Sequence, residues 1–143
     1  MTAKLFARTA AIFVFIHLIG HSLGHFGWDK PKDPKIAEVV QSMKSNKSEF
    51  MGATKSMADY FSGYSLIIFG LFFMTIILLW LLSNHANDNP VLVRQLLYPI
   101  GLGYLYFAII ELLDFFPFAA SISFLAAVFT LLAAIKLRVK KDA

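Results

Sequence analysis

Residues 60–82, YFSGYSLIIFGLFFMTIILLWLL, run for 23 positions without an Asp, Glu, Lys or Arg. About 20 apolar residues let a helix cross a hydrocarbon core roughly 30 Å thick. No water in that core can satisfy the backbone, so each N–H and C=O must be paired within the segment. A continuous apolar run therefore reads as a helix. The same continuity argues against a membrane β-barrel, whose strands alternate apolar and polar residues over about ten positions.

Three further stretches read the same way. Residues 9–28 carry no Asp, Glu, Lys or Arg. Residues 96–116 carry Glu111 and Asp114 near their far end. Residues 118–135 are uncharged and run into Lys136, Arg138, Lys140 and Lys141. The expected fold is all-α: a four-span transmembrane helix bundle forming one integral membrane domain over 1–143, with 29–59 outside the membrane. The composition agrees. The 143 residues are 58% apolar and 15% charged, against a usual 45–50% and about 25%. A soluble domain of this size has too little interior to hide so much apolar side chain. With no Cys, a disulfide-stapled module, thiol catalysis and an iron–sulfur cluster held by this chain are all excluded.

The breaks between spans have their own chemistry. Asn87-Asp88-Asn89-Pro90 supplies cap residues followed by Pro, a helix-start signal. Pro99 is expected to kink the third span or mark its entry. Phe115-Phe116-Pro117-Phe118 leaves room only for a tight turn. Lys4, Arg8 and Ser22-Leu23-Gly24 resemble the start and cleavage site of a secretion signal. The apolar run continues past that site and contains three histidines, so the first span is expected to be retained.

Lys and Arg near the span ends set the orientation. With four spans both termini share one side, which holds Lys4, Arg8, Arg94, Lys136, Arg138, Lys140 and Lys141 against Asp88 and Asp142. The expected placement is a bacterial inner membrane with both termini cytoplasmic. The basic tail would then suit anionic lipid. No basic patch is interleaved with exposed aromatics, so no nucleic-acid partner is expected. The expected partners are the lipid bilayer and a homo-oligomer or larger membrane complex.

Residues 29–59 hold six Lys and five acids. Asp33-Pro34 reads as an N-cap with Pro at the first helical position. Ile36, Val39, Val40 and Met43 then lie on one helix face, giving a short amphipathic helix suited to the membrane surface or the bundle mouth. Ser45-Asn46-Lys47-Ser48 ends it. From about Ser48 a second stretch puts Phe50, Met57, Phe61 and Tyr64 near one stripe and is expected to run helically into the second span.

The most informative feature is His17-Leu-Ile-Gly-His21-Ser-Leu-Gly-His25. Three histidines at i, i+4 and i+8 cover about 80° of one helix face. Gly20 and Gly24 form a second stripe, and small residues four apart let a neighbouring helix approach. The lipid edge is expected around Phe13, Val14, Phe15 and Leu18. Ionisable groups in a span usually face the protein interior or a water cavity. Arg8 to His25 and Arg94 to Glu111 are both 17 residues, so equal rises of about 25 Å predict His25 level with Glu111. The expected cluster is His17, His21, His25, Glu111 and Asp114 in the outer half of the bundle, with Asp59 and Ser62 at its rim.

Three chemistries fit such a cluster. His21, His25, Glu111 and Asp114 form a ligand set for a transition metal such as zinc, iron, copper or manganese. His and carboxylate can instead relay protons or form a quinone-type site, with His17 and Ser62 as the residues touching a bound cofactor. Haem is less favoured: the remaining histidine, His85, lies in a connection, so two axial histidines from one chain are hard to arrange. The functional expectation is a small membrane protein with a His/carboxylate site that binds a transition metal or handles protons. The alternative is a non-catalytic membrane subunit whose histidines pack against a partner. No phosphate loop, G-x-S-x-G or H-E-x-x-H is present, and no nucleophile can be paired with a base, so enzymatic activity stays open.

Overall fold

A computed structural model describes residues 2–137; Arg138, Lys140, Lys141 and Asp142 of the charge balance lie outside the described residues. The elements are α1 (Ala3–Gly27), α2 (Pro34–Ser45), β1 (Lys47–Phe50), β2 (Ala53–Ser56), α3 (Met57–Asn84), α4 (Pro90–Asp114) and α5 (Pro117–Lys136). Helices α1, α3, α4 and α5 are each long and apolar enough to cross a membrane. Their outward faces carry bare apolar side chains, among them Ile12, Phe15, Ile67, Phe73, Leu113 and Ile135. Water would not tolerate that much contiguous apolar surface on a small protein. Lipid covers it, and the chain is an integral membrane protein of four helical spans.

The described residues fall into two compact units, one made of residues 2–18 and 72–137, the other of Ile19–Leu71. In the first unit α4 and α5 form a closely packed antiparallel hairpin. Ala119, Ala126 and Ala133 repeat at heptad spacing on the buried face of α5, next to Ser123 and Thr130. Small side chains let helix backbones approach, and close packing holds helices together where lipid removes the hydrophobic drive. Gly101 of α4 shows how close they come: a Cβ there would lie 2.7 Å from Leu131 Cγ and Cδ2. Pro99 is accommodated inside α4 at an exposed position.

The N-terminal part of α1 joins this unit through Ala7, Ala10, Ala11, Val14 and His17, one stripe at spacings of three and four. Phe6 and Phe13 lie 5.9 and 5.4 Å from the Phe129 ring. Arg8 Nε donates to Ser83 Oγ at 3.2 Å and Nη2 to Asn84 Oδ1 at 3.0 Å, with the guanidinium 4.6 Å over Trp80. The expected lipid edge is corrected in part. Val14 is fully buried and Phe13 stacks on Phe129, because residue 14 shares the inward stripe with 10, 11 and 17.

The second unit holds the end of α1, α2, the hairpin and the start of α3. As read from the sequence, Asp33 caps α2, its Oδ1 accepting from Lys35 N at 2.9 Å. Only Val40 of its apolar face is buried. The helical run expected from Ser48 is not there. Residues 47–56 form an antiparallel two-stranded hairpin with Phe50 opposite Ala53. Its two-residue loop, Met51-Gly52, has φ of 50° and 80°. Two positive φ values belong to the turn whose twist matches a hairpin, and Gly at the second position suits it.

Helix α3 opens on a reciprocal cap. Ser56 N and Oγ donate to Asp59 Oδ2 at 2.8 and 3.0 Å, and Asp59 N donates to Ser56 Oγ at 3.1 Å. The S-x-x-D spacing before an apolar run carries this signal. Gly20 and Gly24 also depart from expectation, for nothing lies within 4 Å of a Cβ built at either. The close approach occurs on the small-residue face of α5 instead.

Candidate functional site

The histidine ladder divides into two arrangements. The first is in the α1–α4–α5 unit. His17 is the fifteenth residue of a 25-residue helix, about 21 Å from its start at 1.5 Å per residue. Its Nε2 lies 3.2 Å from Glu111 Oε1, and the two side chains are only 10% and 15% exposed. Its Nδ1 lies 3.1 Å from Oγ of Ser123, which is wholly buried. The imidazole rests 4.6 Å from the Phe72 ring, and Phe72 is 6.4 Å from Tyr104. An aromatic wall thus keeps the ring in the plane that serves both polar neighbours.

The helix that carries the acid reaches His17 for a countable reason. Arg8 to His17 spans nine residues, about 14 Å, whereas Arg94 to Glu111 spans 17, about 25 Å. The two arginines are therefore not level. Arg8 is bound to the last turn of α3, whereas Arg94 lies beyond the 85–89 connection, one turn into α4. Helix α4 starts at Pro90, not near residue 96. Glu111 consequently meets α1 eight residues, about 12 Å, before the His25 predicted from equal rises. Asp114, one turn farther along α4, is exposed and makes no ion pair among the described residues.

Imidazole, carboxyl and hydroxyl at these distances can share a proton. With the proton on His17, Nε2–H donates to the Glu111 carboxylate. With it on Glu111, the carboxyl O–H donates to a neutral Nε2. Either way the pair as a whole is neutral, which is the condition for residing in hydrocarbon. Ser123 supports both states in the same way, since Nδ1 carries its hydrogen in each and the hydroxyl oxygen accepts from it. Glu111 Oε2 is buried and has no hydrogen-bond partner among the described residues.

The second arrangement is in the Ile19–Leu71 unit. His21 Nε2 lies 3.0 Å from the Ser65 carbonyl oxygen and 2.9 Å from Ser65 Oγ. His25 Nδ1 lies 2.8 Å from the same Oγ. A carbonyl oxygen can only accept, so Nε2–H of His21 donates to Ser65. The serine O–H is then directed at His25 Nδ1. Phe69 braces both rings, at 5.0 and 5.3 Å. The result is a hydrogen-bonded chain from His21 through Ser65 to His25. Ser65 is buried at 7% exposure inside a helix whose own N–H groups are engaged. Its hydroxyl and the two imidazoles can each donate and accept, so the arrangement has the parts for passing a proton.

Ser62, one turn before Ser65, lines an open cleft together with His25 and Asp59. His85 is exposed in the 85–89 connection. Among the described residues no group of three or more His, Cys, Asp or Glu side chains is placed to hold a metal ion. The set His21, His25, Glu111 and Asp114 thus gains no support as a metal centre. Sequence reasoning missed Ser65 and Ser123. Their signal was present: a hydroxyl inside an apolar span needs an internal partner, because lipid supplies none.

The chain matches no known protein-family model, no curated protein and no solved structure. The functional reading therefore stands on the geometry alone.

Proposed function

We propose that this integral membrane protein handles protons, and that the His17–Glu111 pair is the group that takes one up and gives it back inside the membrane. The observation that carries the reading is the 3.2 Å approach of His17 Nε2 to Glu111 Oε1, with both side chains largely shielded. Ser123 on the second ring nitrogen holds the imidazole in register while the proton moves. The His21–Ser65–His25 chain supports the same chemistry, since each of its members can pass a proton to the next. The Lys and Arg balance favours cytoplasmic termini in this reading.

The test uses the full chain in proteoliposomes containing a pH-reporting dye, with a potassium-diffusion potential as the drive. The expected result is a proton flux above that of empty vesicles, abolished in Glu111→Gln. In the same membranes one carboxyl infrared band should titrate together with the His17 ring nitrogens and vanish in that variant. Flux or titration unchanged by Glu111→Gln overturns the proposal. A stable co-purifying protein together with that indifference would instead indicate an accessory subunit of a membrane complex.

A further inference from the structure

A second site lies in the Ile19–Leu71 unit. The end of α1, the start of α3, α2 and the hairpin enclose an open cleft of about 540 Å³. That volume is in the usual range for a small-ligand site. Its charge is unbalanced. Lys30, Lys44 and Lys47 line it, against Asp29 and Asp59. Both acids are already engaged: Asp29 Oδ2 accepts from Lys44 Nζ at 3.0 Å, and Asp59 caps α3 through Ser56. Lys30 and Lys47 make no ion pair among the described residues.

Besides His25, Ser56 and Ser62, the cleft is lined by apolar Phe26, Trp28, Ala58 and Leu66, and it lies where a membrane surface would cross it. Trp28 follows directly on the end of α1 and stands 4.9 Å from the Phe61 ring. Lys44 Nζ lies 5.9 Å over the same indole. Tryptophan at the end of a span is the usual marker of headgroup depth. Phe26 and Leu66 line the cleft while remaining 68% and 58% exposed, so its floor is continuous with the lipid-covered faces of two spans. A free anion would use the lysines and leave that floor bare. A molecule with an anionic head and apolar chains would use both.

We infer that this cleft binds an anionic phospholipid, with the phosphate between Lys30 and Lys47 and the acyl chains along Phe26 and Leu66. The lipid is drawn from the bilayer, where its headgroup already sits at that depth.

The experiment is native mass spectrometry of the full chain released from detergent micelles containing equimolar phosphatidylglycerol and phosphatidylcholine. The expected result is one phosphatidylglycerol retained per chain, with a preference of tenfold or more. Lys30→Gln/Lys47→Gln should erase the preference, and Lys4→Gln/Lys136→Gln, which removes two charges elsewhere, should keep it. Equal retention of phosphatidylcholine by the unaltered chain overturns the inference without any variant. So does an equal loss in both double variants, which would mean unspecific attraction to net charge. Displacement of the lipid by inorganic phosphate at matching concentration would mean that the chains add nothing and the cleft holds a free anion. Neither of the latter outcomes touches the His17–Glu111 reading.

Discussion

Deleting each partner of the His17–Glu111 pair, singly and together, measures whether they share a mobile proton or form a fixed ion pair. Glu111→Leu, His17→Leu and the double variant make a closed cycle. Two full charges 3.2 Å apart attract by about 5 kcal/mol at an effective dielectric constant of about 20. Desolvation offsets much of this. If the charges cannot be shed, removing one partner strands the other, at a cost of roughly 3–5 kcal/mol. If a proton can move, the remaining group becomes neutral and only a hydrogen bond is lost. Polar pairs between membrane helices average about 0.6 kcal/mol and reach about 1.7. The pair is well aligned and braced by Ser123 and Phe72, so the expected coupling lies near the top of that range, at about 1.5 kcal/mol. The assay is reversible unfolding of the micelle-bound protein in sodium dodecyl sulfate, followed by far-ultraviolet circular dichroism. A coupling above about 3 kcal/mol would mean a fixed ion pair and refute proton sharing. One below about 0.3 kcal/mol would lie within ordinary additivity and mean that the two groups do not interact.

Gly101→Val should lower stability by about 1–3 kcal/mol, since its Cβ meets Leu131 at 2.7 Å in a well-packed hairpin. Gly20→Ala, with open space around its Cβ, should be neutral or stabilising by up to about 1 kcal/mol through helix propensity; the same unfolding assay reads both. Ser56→Ala removes one half of the cap on α3 and should reduce stability by about 1 kcal/mol, seen as faster amide exchange confined to the first turn after Met57. The Lys44 hydrogen bond holds the Asp29 carboxyl below its ordinary value. A depressed carboxyl contributes stability above its unfolded pKa of about 3.9 and loses it as pH falls through the lower folded value. Carboxyl carbon NMR should therefore find Asp29 titrating below about 3.9 and moving upward in Lys44→Gln; no movement would remove the tether between α2 and the end of α1.

Much of the architecture could be read directly from the residues. Charge-free runs longer than a bilayer leave the backbone no choice but helix, and the Asp33-Pro34 and Asn89-Pro90 starts stand where caps predict. The hairpin at 47–56 was not legible in the same way. A helical stripe through Phe50, Met57 and Phe61 can be drawn on paper, but Met51-Gly52 permits a tight two-residue turn, and the backbone pairs across it. The histidines were recognisable as polar groups that lipid would not solvate, whereas their partners were not. Helix rise converts sequence separation into depth only when the starting points are level, and Arg8 and Arg94 are not. The distribution of apolar side chains was sufficient to dictate a four-span helical membrane protein. Which carboxylate meets His17 depended on how far α4 slides along its neighbours, a quantity set by the small-residue packing of α4 against α5 and written in no single segment.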